Sequence, residues 1–154
     1  QTRRSDLKLV MVGAKNDYYL KLQEMIMKMD IDKKIIFTGY IPNVDLVGLY
    51  NLAEVLIYPS SYEGFGMPVL EAMACGTPVI TSNLSSLPEI AGNAAILVNN
   101  PKDSEEISKA INLILTDQSK RNELIKLGLE RALQFSWEKS AQKVLNVYRE
   151  LYEK

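Results

Sequence analysis

The stretch Tyr58-Pro59-Ser60-Ser61-Tyr62-Glu63-Gly64-Phe65-Gly66-Met67-Pro68-Val69-Leu70-Glu71 is the most informative part of this 154-residue chain. Glu63 and Glu71 stand eight positions apart and bracket Gly64 and Gly66. Neither glycine carries a Cβ, so the backbone there can turn with positive φ and approach a ligand closely. Pro68 suits the first turn of a helix, where its missing N–H costs nothing. A helix beginning at Met67 or Pro68 aims unpaired N–H groups and its positive dipole end at whatever lies above Gly66, which is a place for an anion such as a phosphate. Glu71 then falls one turn inside the helix and Glu63 in the loop before it, so the two carboxylates can converge on one crevice. Carboxylates accept paired hydrogen bonds from vicinal hydroxyls. A glycine-rich turn and a first-turn glutamate each have a purely structural reading as well. For Glu71 that reading is weaker, because a reciprocal capping box needs Ser or Thr where Pro68 stands.

Outward from this stretch, short apolar runs alternate with helical periodicity, which predicts an α/β fold: a Rossmann-like parallel sheet with helices on both faces. Strands are expected over 7–12, 35–37, 55–58, 79–81 and 95–98, and helices over 19–29, 44–52, 104–115, 117–134 and 138–152. Leu22, Met25, Ile26 and Met29 share one face of the first helix and read as core. Ser104 and Asp117 stand at helix starts as caps. In an open parallel sheet the ligand crevice lies beyond the carboxyl ends of the strands. Gly39 and the loops 60–66 and 82–88 emerge there, and Ser82, Asn83, Ser85 and Ser86 could donate to a ligand, although serine-rich loops are common.

Composition narrows the function classes. The length fits one domain with no room for a second. With 18 basic and 19 acidic residues the net charge is −1, which gives no electrostatic support for nucleic-acid binding. A lone cysteine, Cys75, excludes an internal disulfide and reads as packed behind the site helix; the absence of histidine argues against a zinc site or a His-based triad. Asp30-Ile31-Asp32 spells an Asp-x-Asp pair but reads as a solvated connector, so no metal and no cofactor are expected. Asn83-Leu84-Ser85 is formally a glycosylation sequon and is discounted in a chain without disulfides. No stretch approaches 18 apolar residues and no signal peptide is visible, so a cytoplasmic protein is expected.

The segment 58–80, with Ala72-Met73-Ala74-Cys75-Gly76-Thr77-Pro78-Val79-Ile80 completing it, resembles the donor-binding signature of retaining glycosyltransferases of the GT-B fold, family 4. The resemblance extends through Ile36-Phe37-Thr38-Gly39-Tyr40-Ile41-Pro42, Ser85-Ser86-Leu87-Pro88-Glu89 and Phe135-Ser136-Trp137-Glu138. It implies that Glu71 grips the ribose hydroxyls of a nucleoside diphosphate sugar and that Glu63 contacts the donor sugar as the catalytic-site glutamate. Main-chain groups of Gly64, Phe65, Gly66, Met67, Pro68, Val69 and Leu70 would hold sugar hydroxyls and phosphate oxygens, with Pro68 unable to donate. Gly39, Tyr40 and Ile41 would lie beside the base.

Enzymes of this kind carry, upstream of the strand that opens this chain, an Arg and a Lys that neutralise the donor diphosphate, and an N-terminal domain that binds the acceptor. Arg3 and Arg4 read as a solvated pair and not as that clamp. The resemblance therefore implies most of a C-terminal half, 1–154, truncated at its N-terminal side, binding donor weakly and transferring nothing alone. The whole enzyme would be a hexosyltransferase, with mannose from GDP-mannose as the leading donor and a glycan or lipid-linked acceptor, and could sit peripherally at the inner membrane face through the absent domain. The alternatives are a glycogen or starch synthase-like domain using ADP- or UDP-glucose, and a non-catalytic nucleotide-sugar-binding module. The last helix presents Val144, Val147, Tyr148 and Leu151 as an apolar stripe, expected to pack on its own domain in preference to remaining exposed.

Overall fold

A computed structural model describes residues 6–15 and 18–152; Arg3 and Arg4 lie outside them. Backbone packing divides the chain into two compact units, Gln1–Leu46 and Val47–Lys154. Each unit contains one parallel ladder with its helices, in keeping with the α/β architecture that the pattern predicts.

In the first unit, β1 (Leu9–Val12) pairs in parallel with β2 (Ile35–Gly39), and α1 (Tyr18–Lys28) and a short 3-10 turn (Asp32–Lys34) connect them. Met11 lies opposite Phe37, and an irregularity then brings Val12 opposite Gly39. The Tyr19 ring meets Phe37 edge-on, with centroids 5.0 Å apart. Of the apolar face expected to be core, Ile26 is buried and Leu22 half-buried, whereas Met25 and Met29 are exposed. A two-stranded ladder offers a helix a narrower face than the wide sheet presumed from the pattern.

The helix α2 (Asn43–Leu52) leads into the second unit, which contains β3 (Leu56–Tyr58), α3 (Met67–Ala74), β4 (Val79–Ser82), α4 (Leu87–Ala91), β5 (Ala95–Val98), α5 (Ser104–Thr116), α6 (Gln118–Ala132) and α7 (Trp137–Tyr152). The three strands are parallel in the order β3-β4-β5, with Ile80 opposite Ile57 on one side and Ile96 on the other. Central β4 is buried along its whole length, as a parallel strand covered on both faces must be. Its Ile80 joins Val98, Ala110, Ile114 and Leu124 in the core, with Val55, Ile57, Ile96, Ile107 and Ile111 packed around them. The buried hydroxyl of Thr81 donates to Tyr58 O at 2.9 Å, and that of Ser82 to Ser60 O, so neither polar group is orphaned.

Helix α6 packs against α3 at Gly128, where an added Cβ would lie 3.3 Å from Met73 Cγ. Arg121 of α6 pairs with the Glu54 carboxylate at 2.8 Å and donates to Glu54 O at 3.0 Å, which ties α6 to the segment entering β3. The cap of α5 is Asp103 and not Ser104: its carboxylate accepts from Glu105 N and Glu106 N, while Asp117 accepts from Lys120 N at the start of α6. Helix α4 occupies part of what read as a loop. Helix α7 corrects a second expectation, since none of its described residues is buried; Val144, Val147, Tyr148 and Leu151 are 55–66 % exposed. The core is already closed by α5 and α6, so the stripe finds no cover within this unit.

Leu124, 1 % exposed among these side chains, sets the core against α6. Leu124→Ala is expected to lower the free energy of unfolding by about 2–5 kcal/mol, through lost transfer energy and the cavity left behind. Urea unfolding followed by circular dichroism checks this.

Candidate functional site

The site is built around the start of α3. Gly66 adopts φ +106° at the N-cap, Met67 opens the helix and Pro68 follows in its first turn. A Cβ on Gly66 would lie 2.7 Å from Leu87 Cδ2, so both backbone conformation and space restrict this position to glycine. The Val69 N–H donates to Gly66 O at 3.0 Å and closes the turn. Val69 and Leu70 are buried, so only their main chains could face a ligand, and the Val69 amide is already engaged. Gly64, Phe65 and Met67 are exposed, and Phe65 rests edge-on against Phe135 with centroids 6.0 Å apart.

Both glutamates belong to the second unit, and each carboxylate is held by a tyrosine. Tyr58 Oη donates to Glu63 Oε1 at 2.6 Å; Tyr50 Oη donates to Glu71 Oε2 at 3.1 Å. Tyr50 is buried, and its carbonyl accepts from Thr77 Oγ1 at 2.6 Å. Burial, followed by the hydrogen bond and charge of Glu63, pushes the Tyr58 phenol up to about 12. Tyr50 is raised further, by burial first and then by the charge and hydrogen bond of Glu71. Both phenols therefore remain protonated donors throughout the neutral range. A carboxylate has roughly four lone-pair directions, so one phenol on each leaves capacity for the vicinal hydroxyls of a ligand.

The loop backbone is fixed from β4 and α4. Ser85, with φ +56°, donates to Glu63 O at 2.6 Å and accepts from Glu63 N at 3.3 Å. The Ser86 hydroxyl lies between Glu63 O and Phe65 O, at 3.0 and 2.9 Å. The loops leaving β3 and β4 thus meet at the carboxyl edge of the ladder, as the topology required. The hydroxyls of Ser82, Ser85 and Ser86, weighed as ligand donors, are spent on loop carbonyls, and Asn83 donates to Asn99 Oδ1 at 3.1 Å.

Gly39, Tyr40 and Ile41 lie in the first unit, at and after the carboxyl end of β2. Gly39 has φ +69°, and its carbonyl accepts from Gly13 N at 3.1 Å; Tyr40 is exposed. A cavity of about 230 Å³ in this unit is lined by Met11, Gly13, Lys15, Tyr19, Phe37 and Gly39 among others. Asp32 opens the 3-10 turn and Asp30 lies two residues before it, and among the described residues no group of three or more His, Cys, Asp or Glu side chains could hold a metal ion. Among these residues, too, no helix is long and apolar enough to cross a membrane.

Sequence reasoning missed Tyr50 and Tyr58. Tyr58 had a usable signal, as a polar-tipped aromatic ending a strand five residues before Glu63; Tyr50 lies 21 residues from Glu71 and had none. Gly66→Ala is expected to cost about 1–3 kcal/mol, from a forced left-handed alanine with the Leu87 contact adding to it, measured by thermal unfolding. The phenol shifts give a second expectation. A folded-state value raised above the unfolded one contributes stability that is complete below the unfolded value near 10 and is lost as pH rises through about 12. Urea unfolding at pH 8 to 11.5 should therefore show wild-type stability falling above about pH 10, and falling less steeply in Tyr58→Phe.

Residues 1–131 match the family model described as Glycosyl transferases group 1. The O-antigen chain mannosyltransferase B of Escherichia coli is 48% identical over 113 residues, covering 73% of this chain and 29% of that protein. The structure of sucrose-phosphate synthase from Thermosynechococcus elongatus superposes with a TM-score of 0.84 at 32% identity, over 95% of this chain and 39% of the other. Anabaena HepE, crystallised with UDP-glucose, superposes with a TM-score of 0.85 at 21% identity, over 95% of this chain and 42% of that one. The chain thus spans less than half the length of these relatives. Its α/β architecture of parallel strands flanked by helices is that of GT-B glycosyltransferases, and the chain belongs to the glycosyl transferases group 1 family.

Proposed function

We propose that this chain is the donor-binding domain of a retaining, family 4 glycosyltransferase that moves a hexose from a nucleoside diphosphate to a glycan or lipid-linked acceptor in polysaccharide biosynthesis. The observation that carries the reading is the pair Glu63 and Glu71, each held by a phenol, on either side of the left-handed Gly66 turn that opens α3. Glu71 takes the ribose hydroxyls and Glu63 those of the sugar. Main-chain groups from Gly64 to Leu70 take sugar hydroxyls and phosphate oxygens, apart from Pro68, which has no N–H, and the Val69 amide, which Gly66 O engages. Gly39, Tyr40 and Ile41 lie beside the base. As the diphosphate leaves, negative charge grows on its oxygens, and the amides and dipole at the start of α3 stabilise it electrostatically. No metal is required in this scheme, and Glu63 positions the sugar instead of attacking it. The acceptor belongs to a further, N-terminal domain, and the remaining diphosphate clamp to an Arg and a Lys upstream of β1 in the same half, the whole working at the cytoplasmic side.

GDP-mannose is the leading donor, because a mannosyltransferase is 48% identical over most of the chain. A glucosyl donor is the second reading, favoured by a fold neighbour crystallised with UDP-glucose. Calorimetric titration with GDP, UDP and ADP, without and then with magnesium, separates them. One nucleotide should bind independently of the metal, and Glu71→Ala should weaken it about tenfold or more, the loss expected for hydrogen bonds to a charged group. Equal binding by the variant would remove Glu71 from the site.

A further inference from the structure

We propose that Tyr58 and Tyr50 are positioning residues that divide control of donor binding, Tyr58 setting the sugar half through Glu63 and Tyr50 the nucleoside half through Glu71. The proposal rests on the donor-site reading above. A glutamate side chain has three rotatable bonds, so a fixed backbone alone does not aim its carboxylate. The backbones of both glutamates are already fixed, that of Glu63 by Ser85 and Ser86 and that of Glu71 by its place in α3. What remains to be set is carboxylate orientation, and the phenols engage it at 2.6 and 3.1 Å.

Both phenols ride on rigid supports. Tyr58 is the last residue of β3, paired opposite Thr81, whose hydroxyl holds the Tyr58 carbonyl. Tyr50 is buried, and Thr77 holds its carbonyl. Such outer partners orient the groups that meet a ligand. A phenol has a single proton to donate, and here a carboxylate takes it, so each tyrosine orients one glutamate. The phenols arise from different elements, β3 and α2, and touch different glutamates, so their effects should separate.

The test titrates wild type, Tyr58→Phe and Tyr50→Phe with GDP, GDP-mannose, UDP and UDP-glucose, with urea unfolding to verify that each variant is folded. Wild type should prefer one conjugate to its bare nucleotide. Tyr58→Phe should shrink that preference about tenfold, and Tyr50→Phe should weaken nucleotide and conjugate together by a similar factor, the change expected from one hydrogen bond to a charged group. In a Glu63→Gln background the Tyr58→Phe effect on the preference should vanish, since a residue acting through another is not additive with it. A preference unaltered by Tyr58→Phe, a Tyr58→Phe loss shared equally by nucleotide and conjugate, a Tyr58→Phe effect that persists in the Glu63→Gln background, or wild-type nucleotide binding by Tyr50→Phe would overturn the proposal while leaving the donor site standing. A wild-type chain with no preference for either conjugate would overturn the role of Glu63 in the donor reading, and the proposal with it.

Discussion

The conformation of Gly66 is the constraint on which the site depends. With φ +106° and Leu87 Cδ2 close to where a side chain would begin, the position strongly favours glycine, and the turn it makes decides that α3 starts at Met67. From that start follow the direction of the helix dipole, the burial of Val69, Leu70, Ala72 and Met73 on the inner side of α3, and the placing of Glu71 within the helix. Glu63, three residues before the turn, is left in a loop that no ladder supports. Loop carbonyls need partners as much as those in a strand, and here hydroxyls supply them: Thr81, Ser82, Ser85 and Ser86 donate to Tyr58, Ser60, Glu63 and Phe65. One strand end and one helix start therefore hold the opposite loop, and the loop holds its glutamate.

The choice of neutral donors for the two carboxylates matters electrostatically. An arginine or lysine would fix a carboxylate as well, but would also neutralise it and compete with a ligand for its lone pairs. A phenol whose own ionisation is pushed upward by burial and by the adjacent carboxylate stays neutral. It donates one hydrogen bond and leaves the negative charge and the remaining lone pairs in place. The well-formed Arg121–Glu54 pair, by contrast, joins α6 to the segment before β3, a structural junction where neutralisation costs nothing functional.

The legible parts of this chain were those where a local rule and the tertiary environment agree. Val79 to Ser82 is uniformly small and branched, and becomes the buried centre of its ladder; Gly66-Met67-Pro68 carries its turn chemistry on its face and starts its helix as expected. Where the environment overrode the local rule, the reading failed. Leu87–Ala91 has helix-start chemistry in Ser86-Leu87-Pro88-Glu89, yet it is only five residues long, too short for periodicity to mark it within a serine-rich loop. Periodicity assigned Met25 and Met29 to a core, yet periodicity reports only that a face is apolar, and a two-stranded ladder is too narrow to cover it. The same applies to α7, whose stripe is exposed throughout. The Tyr50 contact was out of reach for a different reason: its hydrogen bond to Glu71 is a property of the folded backbone, and no spacing rule joins residues on different elements.

A site built in this way separates its frame from its selectivity. Val69 and Leu70 turn their side chains inward and could offer a ligand only main-chain groups, while a carboxylate can accept from any pair of vicinal hydroxyls, in ribose and in a hexose alike. Such contacts carry little information about which base or which sugar is bound. Discrimination must then come from side chains that project where the frame places the ligand, and around the turn those are Phe65 and Met67, 42% and 41% exposed. Phe65 is itself braced by Phe135, in the segment between α6 and α7, so the shape presented beside the turn depends on a part of the chain about seventy residues distant in sequence.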